Sequence, residues 1–421
     1  MVSSMHISIR FSPAQEESAA VLPFILLREH IRPALEARRR ELETMYAQRM
    51  GRPEVDPVFL TGVTLLQMME RLPDRQATTA CRYDARWRLA LGLPEDWAGI
   101  DPSTLVYFRR RLARHQLATL VLESGLAAMR SAGYLRPHAA VRIDSTHALA
   151  QIARLSRLEC VRETLRLALA FLSAFGGPAA WEPWLSRYLQ RQQQELRTAS
   201  AERLNATLDQ AGQDAREVLA KAQALGGAVI QAEPVALLQR VFDEQFDSAE
   251  DGTSRPRPVT PAGSVHNPHD PEAAWSTKRS MGKDGWVGYK LCETAPETAR
   301  PPGEPTEAVL TAALTQSAIT SDHGSLSPVI EAHRRGVQTK PEEVFADAGC
   351  QDSAYRLRMH RRSGIEGTHS ELTRGYQLCR SRYRSRAKTE IQVQFTVAAC
   401  NLRRWAVRRC WMRRQETQER I

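Results

Sequence analysis

VRIDSTHA, Val141 to Ala148, is the stretch whose reading decides the fold. A short apolar run ends on an acid, Asp144, and small polar residues follow at once. A buried strand that delivers a carboxylate to a site at its end has this pattern. VFADAG (344–349) delivers Asp347 in the same way, and RRSGIEGTHSEL (361–372) carries Glu366. Two acids on strand ends and a third near or on a late helix point to a divalent-metal site. Asp and Glu are ionised at neutral pH and offer the hard oxygen ligands that Mg²⁺ prefers. Two such ions held about 4 Å apart activate an attacking oxygen and stabilise the leaving one at phosphorus. The chain holds 48 acids, so this spacing gains weight only from the motifs around it. His147 reads as a hydrogen-bonded neighbour of the strand end rather than a catalytic residue.

The rest of the chain frames that site. At 421 residues it is long enough for two or three domains, each with a core. The formal net charge is +10, carried mostly by Arg, whose guanidinium forks grip phosphates. VLPFILL (21–27) is too short to span a bilayer, and no small-residue cleavage pattern follows it; an intracellular, cytoplasmic protein without a membrane partner is expected. Seven scattered cysteines form no C-x-x-C pair, which argues against zinc and against a disulfide framework.

Helices dominate the first third. Leu26 to Met50 is helical in pattern and ends at Gly51 and Pro53. Asp56-Pro57 opens a strongly apolar helix that stops at Pro73. Another spans about Asp74 to Leu91 and ends at Gly92. A third opens at Asp101-Pro102, with Leu105, Phe108 and Leu112 on one face and Arg109, Arg110, Arg111 and Arg114 around the rest. This basic helix reads equally as a duplex-DNA contact in the helix-turn-helix manner or as the solvated face of a bundle. After the VRIDSTHA strand the chain turns helical again to about Phe246, with Leu204, Leu208, Ala211, Ala215 and Val218 marking one buried stripe. Residues 248–274, with five prolines and two glycines, read as a linker. WVGYKLCET (286–294) reads as a strand, AVLTAALTQ (308–316) as a strand or short helix, and SPVIEAHRRG (327–336) as a helix closed by Gly336. From Leu372 to Arg414 there are twelve Arg or Lys and one acid, interleaved with Tyr383, Trp405 and Trp411. So one-sided a bias favours phosphate contact over a solvated helix.

In these stretches the chain resembles DDE transposases of bacterial insertion sequences, the group with a helical block inserted after the first catalytic strand. The DPVFL helix, DPSTL–FRRRL, RIDSTHALA, the DPEA–GYK segment (270–290), the T-S-D turn at 320–322, FADAG, GIEGTHSEL and SRYRSRAKTEIQ–AACNLRR occur in that group's order. The resemblance implies an α/β fold: a ribonuclease-H-like mixed sheet with a helical insertion, preceded by an all-α N-terminal DNA-binding domain. It divides the chain into a helical end-recognition domain at 1–136, a catalytic domain at 137–154 and 275–415, an insertion at 155–247 and the linker at 248–274. It implies that Asp144, Asp347 and Glu366 are the catalytic metal ligands for Mg²⁺ or Mn²⁺. The DNA-binding set expected is Arg109, Arg110, Arg111, Arg362, Arg374, Arg382, Arg384, Arg386 and Lys388. The activity implied is metal-dependent cleavage at the ends of the mobile element, then strand transfer into target DNA by a homo-oligomer on duplex DNA.

Four positions depart from the group's pattern: Met359 stands where a Tyr is usual, Cys350 where an aromatic is, and Thr373, beside Arg374, where a Lys or Arg often is. The fourth is the spacing of Asp347 and Glu366, nineteen positions where the group has a long additional stretch, as if by internal deletion. A straight helix over 353–366 would run roughly 20 Å and carry Glu366 away from Asp347, unless the chain doubles back. The alternative function is therefore a catalytically impaired remnant that only binds DNA. A metal-dependent nuclease without strand transfer needs the same carboxylates, and no RNA-recognition signature is present. Asp270 and Asp322 are rival acids, each in a turn context.

Overall fold

A computed structural model describes the chain apart from residues 1–10, 13–14, 16–17, 47–54, 95, 136–139, 190–198, 249–251, 281–282, 297–307, 347–355, 359–364 and 420–421. It divides into two units, residues 1–148, 290–316 and 320–421 in one and 149–289 with 317–319 in the other.

The first unit begins with helical turns, α1 (Leu22–Leu26), a π turn (Leu27–Ile31), α2 (Arg32–Ala37) and α3 (Arg39–Glu43). Helix α4 (Pro57–Glu70) starts where expected: the Asp56 carboxylate accepts the Val58 N–H at 2.9 Å, and Pro57 has no N–H to lose there. Its residues are buried almost all round, the signature of a central helix. The helix expected from Asp74 to Leu91 is two, α5 (Asp74–Tyr83) and α6 (Ala85–Leu91). Asp84 takes an extended backbone between them and caps the second by accepting the Arg86 N–H at 2.8 Å. A cap residue inside the pattern outweighs the continuity of the periodicity. Helices α7 (Pro102–Arg114) and α8 (Leu120–Ser131) follow.

Strand β1 (Ala140–Leu149) comes next. The second unit then supplies α9 (Arg157–Leu172), α10 (Trp184–Leu189), α11 (Ala201–Ala224), α12 (Gly227–Ile230) and α13 (Glu233–Gln245). A capping box joins Ser156 and Glu159 at the start of α9. The stripe expected on α11 is buried at Leu208, Ala211, Ala215 and Val218, with Leu204 half-buried at its edge. The proline-rich stretch, expected to hold no regular element, contributes a short ribbon of β2 (Phe246–Ser248) and β3 (Ser254–Pro256). Pro256 ends that ribbon, an edge position where no N–H is required. Strand β4 (Ala274–Ser280) pairs antiparallel with the first half of β5 (Lys283–Pro296).

The second half of β5 belongs to the first unit, as does most of β6 (Ala312–Ser317), which pairs with β5. Helix α14 (Asp322–Val337), β7 (Glu343–Phe345), β8 (Arg356–Arg358), the short α15 (Glu366–Ser370) and the long α16 (Arg386–Gln418) complete it. In the sheet β1 lies between β5 and β7, and β8 lies on β7. β1 and β7 run parallel, with Ala140 opposite Glu343 and Arg142 opposite Phe345. Val141, Ile143, Val344, Leu326, Val329 and Ile330 pack together where α14 covers this sheet.

Two expectations change here. Helix α14 does not close at Gly336; it runs to Val337, and Gln338 takes the left-handed turn at φ 58°. Gly336 serves contact instead, since a Cβ there would stand 2.7 Å from Leu126 Cδ1 and 2.9 Å from the Thr311 carbonyl oxygen. The C-terminal run, read as a surface for phosphate contact, also holds a core segment: every residue from Ile391 to Leu402 of α16 is buried, against α1, α4, α7 and α8, and none of these is a cation. Among the described residues no helix is long and apolar enough to cross a membrane.

Gly336→Ala should destabilise the protein by about 1–3 kcal/mol, because neither the Thr311 backbone nor a packed Leu126 can yield freely. Denaturant unfolding read by circular dichroism measures it.

Candidate active site

Asp144 lies just past the described β1–β7 register, on a strand whose alternation slips. The buried positions change from Val141 and Ile143 to Ala148 and Ala150, and the residues from Asp144 to His147 between them are all half-buried. The Ser145 N–H donates to Asp144 Oδ1 at 2.8 Å, and the Ser145 hydroxyl donates to Asp322 Oδ1 at 3.1 Å. Lys290, from β5, donates to the same Asp322 oxygen at 2.6 Å and to the Thr320 carbonyl at 3.0 Å. Its side chain is only 6% exposed, so the ammonium is committed to this contact. Asp322 thus opens α14 and braces the strand beside Asp144, rather than rivalling it. Asp270, the other rival, is wholly buried and accepts the Tyr289 hydroxyl at 2.6 Å, a structural bond.

Glu366 is the first residue of α15, with its side chain exposed. One helical turn later His369 sets Nδ1 3.8 Å from Asp144 Oδ2 and Nε2 3.3 Å from Glu293 Oε2. Residues three apart on a helix share a face, with Cβ atoms about 5–6 Å apart. The helix carrying Glu366 is therefore docked beside Asp144, which lies midway along β1 and not at a strand end as expected, because β1 runs on to Leu149. Burial and the nearby His369 hold the His147 imidazole below the ordinary range. From the other side Arg404 of α16 donates to Thr368 Oγ1 at 2.9 Å and to Glu371 Oε2 at 2.7 Å. The Cys400 thiol, pushed up by burial, donates to Glu371 Oε1 at 3.3 Å. Asp347 and Arg362 lie outside the described residues. Among the described residues no group of three His, Cys, Asp or Glu is arranged to hold a metal ion.

The basic residues divide by location. Arg109 turns inward: its guanidinium meets Asp74 at 2.6 Å and lies 5.2 Å over the Tyr383 ring, with the side chain 7% exposed. Arg382 donates to the Arg71 and Leu72 carbonyls that α4 leaves at its end. Both therefore serve the fold. Arg110 is exposed beside Tyr107, and Arg111 is half-buried over Tyr46. Arg374, Arg384 and Arg386 are exposed and Lys388 is half-buried.

Two family models match this chain. One, described as a transposase domain (DUF772), covers residues 17–111. The other, a transposase DDE domain, covers residues 330–406, from within α14 through α15 and into α16. Together these matches support a DDE transposase of an insertion sequence. No curated protein and no solved structure matches it. In this transposase the DDE match takes in the Glu366 helix and its anchor, Arg404, whereas Asp144 lies upstream of it.

Sequence reasoning passed over Glu293, His369 and Lys290. A signal for the first and last was present: both are charged residues inside WVGYKLCET, the stretch read as a strand, and all of that strand from Trp286 to Glu293 is buried. His369 had no such mark, because only the docking of α15 brings it to Asp144.

Lys290→Met should cost roughly 1–3 kcal/mol, because it strips the cation from the Asp322 carboxylate and a donor from Thr320. Urea unfolding of the full chain checks it.

Proposed function

We propose that this transposase cleaves DNA at the ends of its own element and joins the freed 3′ end to target DNA, with Asp144, Asp347 and Glu366 as the acids. The observation that carries the reading is the contact of His369 with Asp144, which seats the Glu366 helix against β1. That contact supports a Glu366 helix that stays beside Asp144 despite the short spacing between Asp347 and Glu366. A second observation supports it: the offset that pairs Ala140 with Glu343 also separates Asp144 from Asp347. Central β1 with parallel β7 on one side and β5 on the other supports a ribonuclease-H-like sheet.

Mg²⁺ or Mn²⁺ fits the donor set, because these acids offer hard oxygens and no cysteine thiolate joins them. When bound, such ions supply the charge stabilisation and the activated oxygen that phosphoryl transfer needs. The chain's own part is to hold the carboxylates on rigid elements: Asp144 through the Ser145–Asp322–Lys290 brace, Glu366 through the grip of Arg404 and His369 on its helix.

The duplex is read by the outward face of α7, where Val106, Tyr107, Arg110 and Arg114 are exposed, in a chain whose formal charge is +10. Arg374, Arg384 and Arg386 add exposed cations. A homo-oligomer on DNA, with both element ends and target as partners, completes the proposal.

Asp144→Asn and Glu366→Gln should each lower Mg²⁺-dependent cleavage of element-end DNA by more than about 100-fold, since even outer-shell changes reach that range. A cleavage and strand-transfer assay reads it. DNA binding without cleavage by the unaltered chain would leave only a binding remnant. Arg110→Ala should flatten the dependence of log binding constant on log salt by about one unit, whereas Arg109→Ala should lower stability instead. Fluorescence anisotropy across a salt series separates the two.

A further inference from the structure

Strand β5 carries a carboxylate that the three-acid reading leaves without a task. Glu293 is wholly buried, and among the described residues neither of its oxygens accepts a hydrogen bond. An acid in that position costs stability unless something else needs it. His369 faces it at 3.3 Å with Nε2 and faces Asp144 at 3.8 Å with Nδ1. Glu293, the imidazole and Asp144 thus stand in file, from β5 to the middle of β1.

We propose that Glu293 is a positioning residue: through the His369 imidazole it sets the seat of α15, and so the place of Glu366 opposite Asp144. The inference rests on the reading of Asp144 and Glu366 as partners in one metal site. Helix α15 runs directly on into a π turn, Glu371–Gly375, and has no side-chain cap at its start, so its direction is set by the contacts it makes. Arg404 grips it at Thr368 and, just beyond its end, at Glu371. His369 is its grip on the sheet, and the ring is orientable only if its inner nitrogen has a partner. A carboxylate behind an imidazole is the arrangement by which proteins fix ring orientation at metal sites.

The test uses the full chain and Mn²⁺ alone as probe, titrated by electron paramagnetic resonance of the free ion. Thermal melting is run in parallel, and the His369 ring nitrogens are followed by ¹⁵N resonance without metal. Glu293→Ala should weaken Mn²⁺ binding about 10- to 100-fold and shift the His369 nitrogens, with metal-free DNA binding unchanged. Glu293→Gln, which keeps an acceptor oxygen for the ring, should recover most of the affinity. Should Glu293→Ala fail to fold, His369→Ala cuts the same link from its less buried end and should give the same loss. Normal Mn²⁺ affinity in Glu293→Ala, or in His369→Ala where that variant stands in, overturns the proposal. So does a folded Glu293→Gln as weak as the alanine variant, which would make the charge itself the ligand. Glu366→Gln is the control: unchanged Mn²⁺ binding there would sink the metal-site reading itself, whatever Glu293 does.

Discussion

Asn401 closes two 2.8 Å hydrogen bonds with the backbone of Leu310, accepting its N–H and donating to its carbonyl. It does so from inside a helix whose residues from Ile391 to Leu402 are all buried. Gln394 donates to the Ala313 carbonyl, and Glu390 accepts the Thr315 N–H, both at 2.6 Å. One helix therefore satisfies the backbone approaching and forming β6, while its apolar residues fill the core among α1, α4, α7 and α8. Buried backbone groups need partners, so the amides of α16 fix its height along the sheet as well as its contact. Burial pushes the Glu390 carboxyl above its usual range, a cost set against those bonds.

From that fixed helix follows the place of the candidate site. Arg404 stands one turn beyond Asn401, wholly inside, and reaches Thr368 and Glu371. The site is thus built between two supports, a helix that grips α15 from one side and a strand that meets it through His369. The chemistry depends on separations of a few ångströms. Thr368 and His369, two and three residues beyond Glu366, make the contacts that hold its helix.

The excess of positive charge has two uses. Arg109, Lys290 and Arg404 are buried in ion pairs with Asp74, Asp322 and Glu371. Such pairs pin elements to one another more than they add stability, because desolvation offsets most of their attraction. Arg382 is spent on helix-end carbonyls. Arg110, Arg114, Arg374 and Arg384 remain exposed at the surface.

Local chemistry was legible in the residues. Asp56-Pro57, Asp101-Pro102 and Gly92 mark helix ends because caps and backbone geometry act over a few neighbours, and the structure places those ends there. The strand through Asp144 and the periodic stripe of α11 were readable for the same reason, although the strand does not stop at Asp144 as expected but runs on to Leu149. Tertiary structure decided what a basic or small residue is for. Arg109 and Arg110 are adjacent in sequence, yet one enters the core and the other faces water, since successive helix residues point about 100° apart. Gly336 resembles a helix stop but is a point of close approach, and the C-terminal cations, read as a surface for phosphate contact, ride on a helix with a buried segment. His369 and Glu293, seventy-six positions apart in the chain, meet only when α15 docks on β5. No local pattern encodes such a contact, because it depends on how far and in which direction the intervening chain is folded.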